Sequence, residues 1–299
     1  MVPSGQSSSV ARTRDYTGIQ SLAPAGFPFI LPLTPSHDSG IDPAPMQLRL
    51  ITDSSEMARL VAEQGSHVIR EALRHRREAT IIVATGVSQM AMLAMLARAT
   101  DIDWGLVSVF HLDEYIGLPQ THPASFRRYL RERFLAHLPS QPAFIAVNGD
   151  APDLSAELAR LNRLLLGRPV DLCFVGIGEN AHLAFNDPPA DFEVDDPYVA
   201  VNLNEACRRQ QSGEGWFATL DDVPRRAISM SIRQIMRSGC LLLTAPEQRK
   251  AAAVRCAVEG PVSPACPASI IQRHPDCTVF LDAAAASGLS RAPSMGTEA

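Results

Sequence analysis

The chain has 299 residues, 46% of them hydrophobic and 20% charged, with a formal net charge of −5. That composition belongs to a globular protein able to bury a sizeable core, as one large domain or two ordinary ones. The acidic balance excludes a general nucleic-acid or anionic-membrane surface, which needs clustered excess Lys and Arg, and no apolar run approaches the ~20 residues that span a bilayer.

Residues 1–45 are rich in Ser, Pro and Gly without periodic pattern and are expected to form a flexible extension. A short apolar strand at Leu48 is followed by Asp53 and Glu56, spaced as a helix-starting capping box. Met57, Leu60, Val61, Val68, Ile69, Ala72 and Leu73 then fall on one helix face. Thr80–Ala84 reads as a buried strand, Gln89–Ala99 as a helix after the turn TGVS, Leu106–His111 as a strand and Thr121–His137 as one amphipathic helix. Strands at Ala143–Val147 and Val170–Val175 enclose a helix carrying Leu154, Leu158, Leu161 and Leu165. Strands at Ala227–Ile232 and Cys240–Thr244, a helix over Lys250–Val258 and a strand at Thr278–Leu281 complete the alternation.

Strands alternating with helices predict an α/β fold: a single three-layer domain over 46–285, built on a largely parallel, doubly wound, Rossmann-like sheet with helices on both faces. Residues 286–299 are expected to be a flexible tail. Cys173, Cys207, Cys240, Cys256, Cys266 and Cys277 form no CxxC pair and have no zinc-type spacing with histidine, so they are expected to be reduced packing residues in a cytoplasmic, reducing compartment.

Ligands of open α/β sheets bind beyond the carboxyl ends of the strands, and three polar clusters follow predicted strands. Thr85, Gly86, Val87 and Ser88 join a strand to a helix start, where backbone N–H groups favour an anion, although Ser88 would equally serve as an ordinary cap. Asp113 and Glu114 end another strand. A carboxylate desolvated there is a candidate general base, and the alternative is that one of the pair caps a turn. The third stretch, DLCFVGIGENAHLAFNDPP over Asp171–Pro189, places Glu179, Asn180, His182, Asn186 and Asp187 within nine residues, with His182 and Asp187 as candidates for an imidazole and its orienting carboxylate, the alternative being a structural loop histidine. Lys250, and Arg208 with Arg209 in EACRRQQ, are further candidates for phosphate, or else ordinary surface cations.

ATGVS, FHLDEYIGL followed by HPASFRRYL, GIGENAHLAFNDP and KAAAVRCAVEGPVSP stand in an order that resembles the glucosamine-6-phosphate deaminases over roughly residues 48–284. The related 6-phosphogluconolactonases share the fold and the GIG-to-His loop but look less like this chain at LDEY and AFND. The resemblance implies an enzyme without metal or cofactor that converts glucosamine 6-phosphate to fructose 6-phosphate and ammonia, acting on a small sugar phosphate and not on nucleic acid or membrane. A homo-oligomer stays open. By the same resemblance Asp113 is the base that moves the C2 proton to C1, His182 assists ring opening, Asp187 orients His182, and Thr85, Gly86, Val87, Ser88 and Lys250 hold the phosphate. Asn180 stands where the family has an aspartate, Ala181 and Val87 where it has glycines, and no arginine aligns with its phosphate arginine. Either Glu179 supplies the missing carboxylate, or Asn180 hydrogen-bonds while Asp187 alone orients His182. The other readings are a sugar-phosphate lactonase or isomerase of the same fold, and a catalytically silent sugar-phosphate-binding regulator.

Overall fold

The computed structural model describes residues 46–290. β1 (Gln47–Leu50) leads into α1 (Ser54–Arg76), whose first turn is closed as the capping box predicts: the Asp53 carboxylate accepts from the Glu56 N–H at 2.7 Å. β2 (Ala79–Val83) is buried at every residue, and a single 3-10 turn over Val87–Gln89 connects it to α2 (Met90–Leu96). β3 (Val107–His111), β5 (Ala143–Ile145), α4 (Leu154–Leu165), β6 (Leu172–Gly176), β9 (Cys240–Ala245), α7 (Ala251–Glu259) and β10 (Cys277–Leu281) follow the predicted alternation. Between them lie β4 (Asp113–Tyr115), α3 (Phe126–Arg133), β7 (Tyr198–Asn202), α5 (Glu205–Gly213), β8 (Arg226–Met230) and α6 (Ile232–Met236), and α8 (Ala283–Ala286) closes the series.

Seven strands form one sheet in the order β1-β10-β9-β6-β2-β3-β5, every pairing parallel. Because side chains alternate along a strand, each strand feeds two cores. Ile82, Leu241 and Leu243 pack with α4, α6 and α7 on one face, whereas Ile81, Val83 and Leu242 pack with α1, α2 and α3 on the other. Full burial of such a side chain contributes about 1.5–3 kcal/mol, so the two apolar layers hold the three-layer α/β domain together. From β2 the chain winds outward through β3 to β5, then jumps back to β6 on the other side of β2 and winds the opposite way. The reversal leaves a crevice between the carboxyl ends of β2 and β6.

Three expectations need correction. Residues 226–230 do not continue the parallel sheet; β8 is the middle strand of a separate antiparallel sheet, β4-β8-β7, that pairs Asp113 with Ser229. The helix expected over 121–137 begins only at Phe126, behind the Ser125 cap, because Pro123 and the turns before it hold the chain out of helix. Cys256 and Cys266 are joined as a disulfide, their Cα atoms 6.4 Å apart, an ordinary span for such a bridge; Cys173, Cys207, Cys240 and Cys277 are free and buried. The expectation for residues 1–45 lies outside the described residues. Of the expected tail, Ala286 and Leu289 pack against the core and the Ser290 N–H donates to Glu259 at 2.7 Å. No described helix is long and apolar enough to cross a membrane.

Candidate active site

The crevice at the strand-order reversal is a cleft lined by Thr85, Gly86, Val87 and Ser88 from the β2 end, Asp113 from the β3 end, Gly178 and His182 from the β6 end, and Lys250 after β9. Segments far apart in the chain thus meet in one place. Gly178 is required by close approach: a Cβ there would lie 2.2–2.4 Å from the His182 ring. Ala181 and Ala184 take φ values of 66° and 50°, so the loop around His182 winds through the left-handed region.

His182 is fixed by a relay. Its Nδ1 lies 2.7 Å from Asn180 Oδ1, and Asn180 Nδ2 donates to Asp187 Oδ1 at 2.9 Å, while Asp187 Oδ2 accepts from the Asn204 N–H at 2.8 Å. Burial alone would raise the Asp187 pKa, but the approach of His182 and the hydrogen bonds from Asn180 and the Asn204 N–H outweigh it and hold the carboxyl below its ordinary range, so it is ionised and only accepts. The amide of Asn180 must then turn its NH₂ toward Asp187 and its oxygen toward His182. That makes His182 Nδ1 the donor, and no protein partner reaches Nε2 among the described residues. The direct His182–Asp187 separation is 3.4 Å. Glu179 points elsewhere: its carboxylate meets Arg249 Nη1 at 2.9 Å. Asn186 holds the loop by donating to the carbonyls of Leu183 and Met230, each at 2.8 Å.

The paired carboxylates of the β3 end have separate tasks. Glu114 is fully buried and accepts from Ser125 Oγ at 2.9 Å, from the Phe126 and Arg127 N–H groups, and from Arg127 Nε at 3.2 Å. It therefore anchors the start of α3 and is the turn-capping member of the pair. Asp113 faces the cleft, and no protein donor reaches its carboxylate among the described residues. Burial, with a smaller contribution from the Glu114 charge, pushes its pKa up to about 8. Its backbone is fixed by His111, whose Nδ1 donates to the Asp113 carbonyl at 2.9 Å and whose Nε2 accepts from the Val147 N–H at 2.8 Å. Burial drives the pKa of His111 down to about 3, consistent with a neutral ring bridging two backbone groups.

Lys250, also on the cleft, is 5% exposed, and burial lowers its pKa. No acceptor lies within hydrogen-bond reach of its ammonium among the described residues. Beside it Thr85 is buried and the Gly86–Ser88 backbone borders the cleft. A buried cation without a partner calls for an anion from solution. Arg208 and Arg209 do not line this cleft: Arg208 donates to the carbonyls of Val223 and Leu220, and Arg209 lies exposed, paired with Glu205. The arginine on the cleft wall is Arg249. Its only signal in the sequence is its place beside Lys250. Gln210, Gln211 and Glu214 of the α5 segment, and Phe126, also line the cleft; nothing local in the sequence points to them.

His182, Asp187 and Cys207 offer metal-type ligand atoms within 4.8 Å of one another. The first two are already engaged in the relay, and burial pushes the Cys207 thiol up, away from the thiolate a metal needs. The three work as a hydrogen-bonded group.

Residues 52–280 match the family model for glucosamine-6-phosphate isomerases/6-phosphogluconolactonase. The chain belongs to this family. Within it, the glucosamine-6-phosphate deaminase of Bacillus thuringiensis (strain Al Hakam) is 38% identical over 232 residues, covering 78% of this chain and 86% of that relative. A solved monomeric glucosamine-6-phosphate deaminase superposes with a TM-score of 0.75 at 33% identity, covering 81% of this chain and 100% of the other. A 6-phosphogluconolactonase from Shewanella baltica OS155 shares the fold, with a TM-score of 0.67 at 20% identity over 81% of this chain and 99% of that one.

Proposed function

We propose that this family member is an amino-sugar-phosphate deaminase/isomerase that converts glucosamine 6-phosphate to fructose 6-phosphate and ammonia. The observation that carries the reading is Asp113: a buried carboxylate that, among the described residues, has no protein donor, on the same cleft as His182 Nε2 and the Lys250 ammonium, which have no partner among those residues either. A module that only binds sugar phosphates needs the cation and the backbone cradle but not these proton carriers.

The chemistry follows from the groups that share the cleft. The substrate's phosphate lies against Lys250 and the Thr85–Ser88 segment. His182 Nε2, its tautomer set by Asn180 and Asp187, exchanges a proton with the pyranose oxygen or the C1 hydroxyl as the ring opens. Asp113 removes the C2 proton of the open aldehyde and returns it at C1, moving the double bond to C2–N. Water then adds to the resulting imine, and ammonia leaves as the C2 ketone forms. Each positioned proton transfer is worth about 10²- to 10⁴-fold. A phosphorylated substrate is kept inside a cell by its charge, so the proposal includes a cytoplasmic place of action.

The test is to incubate the protein with glucosamine 6-phosphate and follow ammonia and ketose phosphate together. Equal amounts of both are expected. Hydrolysis of 6-phosphogluconolactone with no ammonia from the amino sugar would replace this reading with the lactonase one.

A further inference from the structure

Arg249 lines the cleft and is held between two carboxylates of different origin. Glu247, two residues earlier on the same turn, takes its Nε at 2.8 Å and Nη2 at 3.3 Å. Glu179 comes from the loop after β6, three residues before His182, and takes Nη1 at 2.9 Å. The Glu247 contact is built in: its backbone is held at φ 83°, its N–H donates to Asp282 Oδ2 at 2.9 Å, and its carbonyl accepts from the Lys250 N–H at 3.0 Å. The Glu179 contact is a single charged hydrogen bond between side chains 40% and 34% exposed, a kind of pair that contributes little and exchanges readily.

A phosphate monoester carries about −1.5 to −2 charges near pH 7. Lys250 answers one of them, and the carboxylate of Glu214 also lines the cleft. The next residue, Arg249, has the planar fork suited to phosphate oxygens. Arg208 and Arg209 are engaged elsewhere, as described above.

We propose that Arg249 is the second cation that reads the substrate's phosphate, and that Glu179 is a resident stand-in anion which the phosphate displaces from Nη1. The proposal rests on the reading of the cleft as a sugar-phosphate site. Glu247 keeps the guanidinium aimed while Nη1 changes partner. Glu179 thereby sets the affinity for anions by competing with them, and its release frees the His182 loop from the Lys250 turn each time substrate enters.

The experiment is calorimetric titration of the full chain with inorganic phosphate, alongside KM for glucosamine 6-phosphate, in the wild type, Arg249→Gln, Glu179→Gln and the double variant. Arg249→Gln is expected to weaken phosphate roughly 10- to 100-fold and to raise KM in step, with kcat changed much less. Glu179→Gln is expected to tighten phosphate by about two- to fivefold, and to have no such effect once Arg249 is gone. Unchanged phosphate affinity in Arg249→Gln overturns the assignment, and unchanged or weaker binding in Glu179→Gln overturns the stand-in role. Phosphate binding that follows the predicted pattern without ammonia release would instead sink the deaminase reading alone.

Discussion

The side chain of Asn180 is interposed between His182 and Asp187, accepting from Nδ1 of one at 2.7 Å and donating to the carboxylate of the other at 2.9 Å. The carboxylate that the family resemblance asks for at residue 180 is thus supplied one step further away, by Asp187 through an amide. Glu179, the other candidate, is bound to Arg249 instead.

Replacing the relay with a side chain of similar volume isolates its contribution. Asn180→Leu removes the acceptor at Nδ1 and leaves Asp187 with a lost donor, so kcat is expected to fall by about 10- to 10²-fold while KM stays within about threefold. Steady-state kinetics of the purified variant check this. An unchanged kcat would mean that the direct 3.4 Å approach of Asp187 suffices.

In the proposed mechanism Asp113 links catalysis to stability with a definite sign. Its folded pKa is about 8, far above the ordinary aspartate range, so the folded state holds the proton more tightly than the unfolded one. The stabilisation this gives is complete below the unfolded pKa near 4 and is lost as pH rises through about 8. Asp113→Asn removes the dependence. The variant is therefore expected to melt above the wild type at pH 8 and near it at pH 4, by about 2–4 °C for each kcal/mol relieved. In the wild type, kcat/KM is expected to rise with pH through about 8, as the base loses its proton. Thermal melts across this range decide the first point, and a pH–rate profile the second.

Glu114 and Arg127 form a buried pair, 0% and 3% exposed, at the foot of α3. Arg127→Ala leaves the Glu114 carboxylate uncompensated, and loss of one partner of such a pair costs about 3–5 kcal/mol. Chemical denaturation should show the loss directly. A change below about 1 kcal/mol would mean that Ser125 Oγ and the backbone N–H groups of Tyr115, Phe126 and Arg127 satisfy Glu114 without the guanidinium.

The parallel sheet was legible because its strands are continuous apolar runs: Thr80–Val83 and Leu241–Leu243 are buried on both faces, a pattern readable without knowing the neighbours. β4 and β7 were not. β4 is three residues long, and β7 beyond Tyr198 alternates half-buried and exposed positions, so both acquire strand character only by pairing with distant β8. The early start expected for α3 failed on a local signal, Pro123 and the turns around it, while the Glu114 carboxylate, twelve positions upstream, accepts from the Phe126 N–H that opens the helix. In the site, Asp113, His182 and Lys250 announce themselves by residue type at strand ends. Arg249 does not differ in sequence from Arg208 or Arg209. What separates the three is where their guanidinium groups end, on the cleft wall, on backbone carbonyls, and on an exposed glutamate.

The most direct test of the account is ammonia release from glucosamine 6-phosphate by Asp113→Asn, measured beside the wild type at saturating substrate. Wild type is expected to release ammonia and fructose 6-phosphate in equal amounts, and the variant to lose about 10²- to 10⁴-fold or more in kcat with substrate affinity largely kept. Ammonia release by the variant at the wild-type rate would contradict Asp113 as the carbon base.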